Sequence, residues 1–300
     1  MAGMNTARQS VPVLVVAALA AGCVVHVDTE GQIVREEKRF AITGTPDVRV
    51  TTFDGAIEVQ SWDKPDVLIE IEKRGATKEA VEALEVVSSQ DGSRIELEVK
   101  RPKSESFSGI GFYRTASARL IVSVPLQTNL RARSGDGSIR VERVNGRLEL
   151  RTGDGSIRAN DVAGELVINT GDGSVTVSGA EGRLDVDTGD GGVNVSGRLG
   201  RVKLHTGDGS IVYRAELESR MTDDWEITTG DGGVTVYLPE GFSADVDAHT
   251  GDGTVRSELT ISGGDGDEKS RRRSVRGRIG EGGRSLRIRT GDGAIRLRPS

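Results

Sequence analysis

The chain has one cysteine, Cys23, in 300 residues, so it can form no internal disulfide and carries no other thiol. Aromatic residues make up only 3%. Large rings do much of the filling in wide globular cores, so a thin core of Val, Ile and Leu is the expectation here. Seven Pro stand against 41 Gly. Because the Gly recur at fixed offsets, this balance means tight turns rather than a disordered chain. A basic excess is also missing: the net charge is −6, which argues against a nucleic-acid partner. No Gly-rich loop carries the Lys of a phosphate-binding motif. The apolar run from Val11 to Ala21 is too short for a stable membrane span.

What is present is repetition. Gly-Asp-Gly returns every eighteen residues at Gly135, Gly153, Gly171, Gly189 and Gly207. Looser copies start at Gly230, Gly251 and Gly291, and an outlier, Phe53-Asp54-Gly55, comes much earlier. A fixed period of this kind marks a repeat protein. A second glycine column, Gly146, Gly164, Gly182 and Gly200, falls nine residues from the first. Each unit then has two turns and two strands. Inward positions alternate along each strand, as at Ile139, Val141, Leu148 and Leu150, with Arg, Glu, Thr, Asn and Asp between them. That is a period of two, the signature of half-buried strands. One strand pair cannot bury its apolar face alone, whereas stacked units enclose a continuous core between two parallel sheets. Each coil contributes about four inward side chains, each worth roughly 1.5–3 kcal/mol when fully buried. The expected fold is all-β: a β-solenoid, parallel β-helix or β-roll-like, of about eighteen residues per coil.

The chain divides accordingly. Residues 1–22 read as a signal segment, with an apolar run after Arg8 and small residues before Cys23. Residues 23–38 lack periodicity and read as a tether. Residues 39–130 read as an atypical N-terminal cap with one short helix. Thr77 would cap that helix, and Val81 and Leu84 would form its apolar face. The Ser/Gly-rich stretch 102–113 reads as a loop. Residues 131–300 form the repeat region, where the last coil serves as the second cap and a charged insertion at 263–283 forms a loop or disordered segment.

The sequence Leu19-Ala20-Ala21-Gly22-Cys23 resembles the bacterial lipobox, with Ala20 where Leu is commoner. The resemblance implies cleavage before Cys23 and lipidation of its thiol. Membrane lipid would then be a partner through the N-terminal anchor. Val24 replaces the Asp that signals inner-membrane retention, which points to the outer membrane if the cell is Gram-negative. The Asp54-Gly55-Ala56-Ile57-Glu58-Val59 opening followed by Trp62, the Val124-Pro125 step and the Thr-Gly-Asp-Gly-Ser repeats resemble a bacterial "putative adhesin" family, a domain of unknown function. That resemblance spans residues 39–299 and implies a β-solenoid in an envelope setting.

The candidate residues are few. Asp136, Asp154, Asp172, Asp190, Asp208, Asp231, Asp252 and Asp292 form a column at the turns. Stacked carboxylates repel by about 1 kcal/mol per neighbour in water. The expected offset is an Asx-type turn, each carboxylate accepting N–H groups of its own corner. The alternative is a Ca²⁺ ladder, which the opposite edge, mostly without Asp, disfavours; no cofactor is expected. His205 and His249 precede Thr-Gly-Asp-Gly at a variable outward position, and His26 lies in the tether. A basic run, Arg271 to Arg278, continues through Arg284, Arg287, Arg289, Arg296 and Arg298. It reads as a solvated face or as a contact for anionic envelope components. The function expected is a non-catalytic envelope lipoprotein that binds or scaffolds an extended ligand such as a glycan, or an envelope protein. A polysaccharide-acting β-helix enzyme and a stress or regulatory component are the alternatives. Function is expected where the period fails, after Asp208, or on the outward strand positions.

Overall fold

In a computed structural model, residues 23–26, 33–101, 116–263 and 273–300 are described. The signal segment, the loop at 102–113 and residues 264–272 of the charged insertion lie outside them. The described chain is all-β and solenoid-like, with strands numbered in chain order. Among the described residues no helix is long and apolar enough to cross a membrane.

Two parallel sheets face each other across the core. One contains β9 (Asn129–Ser134), β11 (Asn145–Arg151), β13 (Ala163–Thr170) and the second halves of β14 (Val175–Thr188) and β15 (Val193–Thr206). The other contains β10 (Ile139–Glu142), β12 (Ile157–Asn160), the first halves of β14 and β15, and β16 (Ile211–Ala215). Like positions pair: Leu148 faces Leu166, Leu166 faces Leu184, and Leu184 faces Val202. The inward residues are buried throughout, as the period of two requires.

The Gly-Asp-Gly corners join the two sheets. A buried hydroxyl ties each corner to the next. Thr152 Oγ1 donates to the Gly135 and Gly137 carbonyls, Thr170 to those of Gly153 and Gly155, and Thr188 to those of Gly171 and Gly173. Backbone carbonyls approach so closely that a Cβ on Gly155 would overlap the carbonyl of Gly137. The opposite corner is more extended, and its glycine column lies inside strands: Gly146 in β11, Gly164 in β13, Gly182 in β14 and Gly200 in β15. Gly146, Gly164 and Gly182 take positive φ of 148°, 112° and 110°, and a Cβ on Gly182 would overlap the carbonyl of Gly164. The bend just before them uses Arg143, Asp161 and Gly179, at φ of 53°, 52° and 63°.

Spatial order departs from chain order at both ends. β3 (Asp47–Thr52) pairs with β9, and β4 (Ile57–Trp62) with β10. The outlying Phe53-Asp54-Gly55 is therefore a corner in the column: Ser134 Oγ donates to the Gly55 carbonyl and Gly135 N–H to that of Thr52. The segment between forms the layers beyond. β7 (Arg94–Lys100) lies parallel to β3, and β8 (Ser117–Pro125) parallel to β4. Antiparallel strands then close the stack, β6 (Glu85–Asp91) on β7 and β5 (Asp66–Arg74) on β8. The helix α1 (Lys78–Glu82) is capped by Thr77, whose side chain accepts the Ala80 N–H, and it buries Ala80 and Val81.

Residues 33–38 are not a tether. They belong to β2 (Ile33–Ala41), antiparallel to β5, while β1 (Cys23–His26) pairs with β2. The sequence shows no alternation there because charged pairs line the strand in place of apolar contacts. Arg35 reaches Glu72 at 3.3 Å, Arg39 reaches Asp66 at 2.8 Å, and Lys73 pairs with Glu36.

The last coil is not the second cap either. β22 (Ser285–Thr290) lies between β17 (Trp225–Thr229) and β19 (Ala244–Thr250). β23 (Ile295–Pro299) lies between β18 (Val234–Leu238) and β20 (Val255–Ser257). Leu286, Ile288, Ile295 and Leu297 are accordingly fully buried. The end layer is the 244–257 coil. β21 (Ser274–Ile279), from the insertion expected to be a loop, covers it antiparallel to β19. Where the coil widens after Ala215, the rings of Tyr213, Trp225 and Phe242 fill the core with centroids 5.1 and 5.2 Å apart.

Thr188→Val keeps the side-chain shape and removes the hydroxyl from two corner carbonyls. It should lower stability by about 1–3 kcal/mol in urea titration, whereas Thr188→Ser should stay near wild type. The Tyr213 hydroxyl is buried with no hydrogen-bond partner. Tyr213→Phe should therefore raise the urea midpoint while preserving the edge contact with Trp225.

Candidate functional site

Corner chemistry is carried by hydroxyls, not carboxylates. The third-residue N–H of the corner goes to the preceding Ser or Thr: Gly137 to Ser134 Oγ at 3.0 Å, Gly253 to Thr250 at 2.9 Å and Gly293 to Thr290 at 3.1 Å. Asp136, Asp154, Asp172, Asp190, Asp208, Asp231, Asp252 and Asp292 are all exposed. No N–H of its own corner reaches any of these carboxylates among the described residues. The expected Asx turn is thus replaced by a Ser/Thr turn. A hydroxyl can sit in the dry corner and serve two carbonyls, whereas a carboxylate only accepts and is better hydrated outside. The sequence signal is the Ser or Thr before each Gly-Asp-Gly of the column. Among the described residues no group of three or more His, Cys, Asp or Glu is placed to hold a metal ion.

The position before each Ser or Thr faces outward and forms a row across the first sheet. In spatial order it reads Thr51, Arg133, Arg151, Asn169, Asp187, His205, Thr228, Arg289 and His249. Two strands separate His205 from His249, and both are exposed, so the fold does not bring them together. Cys23 begins β1, opposite Lys38 at the edge of the N-terminal cap.

At the cap end of this row lies a groove of about 720 Å³. Its walls carry four cations, Lys100, Arg101, Arg133 and Arg151, and two carboxylates, Glu98 and Asp136. Thr51 and Asn169 add a hydroxyl and an amide, and half-buried Phe53 adds a ring. The Arg101 guanidinium lies 4.6 Å from the centroid of that ring. Lys100 reaches Glu98 at 3.2 Å, and Arg151 reaches Glu149 at 2.8 Å. Arg133 has no carboxylate partner among the described residues.

A second hollow of about 230 Å³ lies where the repeat period breaks. Its three cations, Arg201, Lys203 and Arg287, meet three carboxylates, Asp223, Asp224 and Glu226. The larger groove therefore spans the cap and the first repeats, on outward strand positions, and not the region after Asp208. Of the described arginines of the C-terminal basic run, four pair with carboxylates. Arg276 and Arg289 converge on Asp247, Arg273 reaches Asp252 at 3.1 Å, and Arg298 reaches Glu258 at 3.0 Å. Burial pushes the Asp247 carboxyl upward, but hydrogen bonds from Arg289 and Arg276 outweigh it and hold the group below its ordinary value.

A depressed carboxylate contributes stability above its unfolded pKa of about 3.9 and loses it as pH falls through the lower folded value. Urea midpoints for wild type and Asp247→Asn should differ by a constant amount above about pH 5 and draw together only as pH falls below about 4 toward the lower folded value.

A model of the Toastrack DUF4097 family matches residues 44–298. No curated protein matches the chain. Three solved structures are similar over most of their length. One is a "putative cell adhesion protein" from Clostridium sporogenes, 14% identical, covering 90% of this chain and 100% of that one, with a TM-score of 0.30. A "putative adhesin" from Bacteroides fragilis is 9% identical, covering 89% and 97%, with a TM-score of 0.41. A "putative lipid binding protein" from Parabacteroides distasonis is 15% identical, covering 88% and 96%, with a TM-score of 0.48. At these identities and scores the likenesses carry no argument about function.

Proposed function

The chain belongs to the Toastrack DUF4097 family, and we propose that this member is a non-catalytic, lipid-anchored protein of the bacterial cell envelope. Its β-solenoid, built from coils of about eighteen residues behind an N-terminal cap with a short helix, binds or scaffolds an extended ligand such as a glycan. The groove that runs onto the outward row of the first sheet is the observation that carries this reading. Concave surfaces of this size with a few convergent polar groups suit ligand binding. In-register strands repeat similar outward positions about every 4.8 Å, a geometry matched to a polymer. The short apolar run ending in Cys23 supports the anchor. Two acyl signals on one residue give stable membrane attachment. On this reading the N-terminal cap is the part nearest the lipid, in the outer membrane if the cell is Gram-negative. The reading includes no cofactor and no nucleic-acid partner.

Cys23→Ser should move the protein from the membrane fraction to the soluble one, while the purified protein still retards on gels containing envelope polysaccharide. Loss of anchoring without loss of glycan binding supports both halves of the reading. Shortening of the glycan by purified protein would instead reveal an enzyme.

A further inference from the structure

Resting on that binding reading, we propose that the groove selects an acidic polysaccharide, one bearing carboxylates such as uronates, and that Arg133 and Arg151 are its anion-binding residues. Several outward arginines near the groove meet a carboxylate on an adjacent strand. In the neighbouring outward row, Arg49 pairs with Glu96 at 3.0 Å and Arg131 with Glu149 at 3.4 Å. Farther along, Arg147 faces Glu165 at 3.7 Å. Each of these cations has a carboxylate on an adjacent strand. In the groove, Arg133 and Arg151 face each other directly in parallel register. Like charges directly opposite are destabilising. Glu149 is already shared between Arg131 and Arg151, which leaves Arg133 without a carboxylate among the described residues.

Lys100 and Arg101 approach the same space from the end of β7. The lining therefore carries two net positive charges on a chain of net charge −6. Guanidinium groups bind carboxylates through two parallel N–H donors, which a Lys cannot reproduce. Thr51 and Asn169 supply partners for sugar hydroxyls, beside the half-buried Phe53 ring over which the Arg101 guanidinium lies. Hydroxyl, amide and paired guanidinium groups together match a carboxylated sugar better than a bare phosphate. The row then runs to Asn169, Asp187 and His205. The cationic end is thus the anchor point, and the exposed Asp136 and Asp154 corners keep the polyanion off the turn edge.

The test uses the purified full-length protein in affinity electrophoresis and calorimetry. The probes are polygalacturonate, neutral dextran and phosphatidylglycerol vesicles. Wild type should bind polygalacturonate, with affinity falling as salt rises, and should not bind dextran. Arg133→Ala with Arg151→Ala should weaken binding by at least about tenfold, and Arg133→Lys should retain only part of it. Arg140 and Arg158 face each other in the same way on the opposite sheet. Their double Ala variant is the control and should bind as wild type. Melting curves establish that each variant is folded. Equal binding of dextran overturns the acid selectivity while leaving the binding function standing. Equal loss in the Arg140/Arg158 variant, or binding to vesicles but not polygalacturonate, overturns the groove as a glycan site. Failure to bind any glycan overturns the proposed function as well.

Discussion

Backbone stacks on backbone at the Gly-Asp-Gly corner with no room for a side chain, and the rest of the molecule depends on that close approach. A Cβ on Gly155 would occupy the place of the Gly137 carbonyl, and the same overlap recurs from corner to corner. The Thr hydroxyl beneath satisfies carbonyls that would otherwise be dry and short of partners. Together these contacts allow one corner to sit only on another corner. Register follows. A slip of one residue would turn Leu148, Leu166 and Leu184 outward and expose the core along its whole length. A core poor in rings is sufficient because the sheets lie close together and small branched residues fill the gap. The rings of Tyr213, Trp225 and Phe242 enter only where the coil widens.

Local equivalence of the corners also permits the unusual chain path. Any Ser- or Thr-Gly-Asp-Gly copy presents the same hydroxyl, carbonyls and glycines, so a segment distant in sequence can take a place in the column. Residues 285–299 do this at one end, and residues 47–62 do so at the other with Thr52-Phe53-Asp54-Gly55, which keeps the hydroxyl and the last glycine but has Phe in place of the first. The layers left outermost differ from repeats because they must close the sheets rather than extend them. β5, β6 and β21 pair antiparallel, and β2 carries ion pairs along its length. Charged, antiparallel closing strands protect sheet edges from pairing with other chains.

Charge is distributed under the same geometric rule. Strands in register place each outward side chain beside its counterparts on the adjoining coils, so sign matters at every step. Most arginines meet a carboxylate, as at Asp247 with Arg276 and Arg289. The exposed Asp column is tolerated because water hydrates and screens it. Arg133 has no carboxylate partner among the described residues and faces Arg151 in a concave site that also offers a ring and neutral polar groups.

The sequence by itself determined the period, the inward and outward faces and the positions of the corners. Side-chain alternation and glycine spacing are local properties of each strand and turn. The Ser or Thr before each corner of the column is in the sequence too, but the adjacent Asp is the more conspicuous polar group. Burial, which selects the hydroxyl, is not written in the motif. Nor did β2 announce itself, because ion pairs replaced the apolar alternation that identifies a strand. Only the tertiary structure decided which copies are neighbours: Phe53-Asp54-Gly55 against Gly135-Asp136-Gly137, and Gly291-Asp292-Gly293 between the corners at Gly230 and Gly251. The reason is degeneracy. Equivalent repeats pair with one another on nearly equal terms, so sequence order among them is broken by the segments that must bury the ends, and by where those segments let the chain return. The groove follows from that choice, since its walls come from β7, β3, β9 and β11, which are adjacent in space and dispersed along the chain.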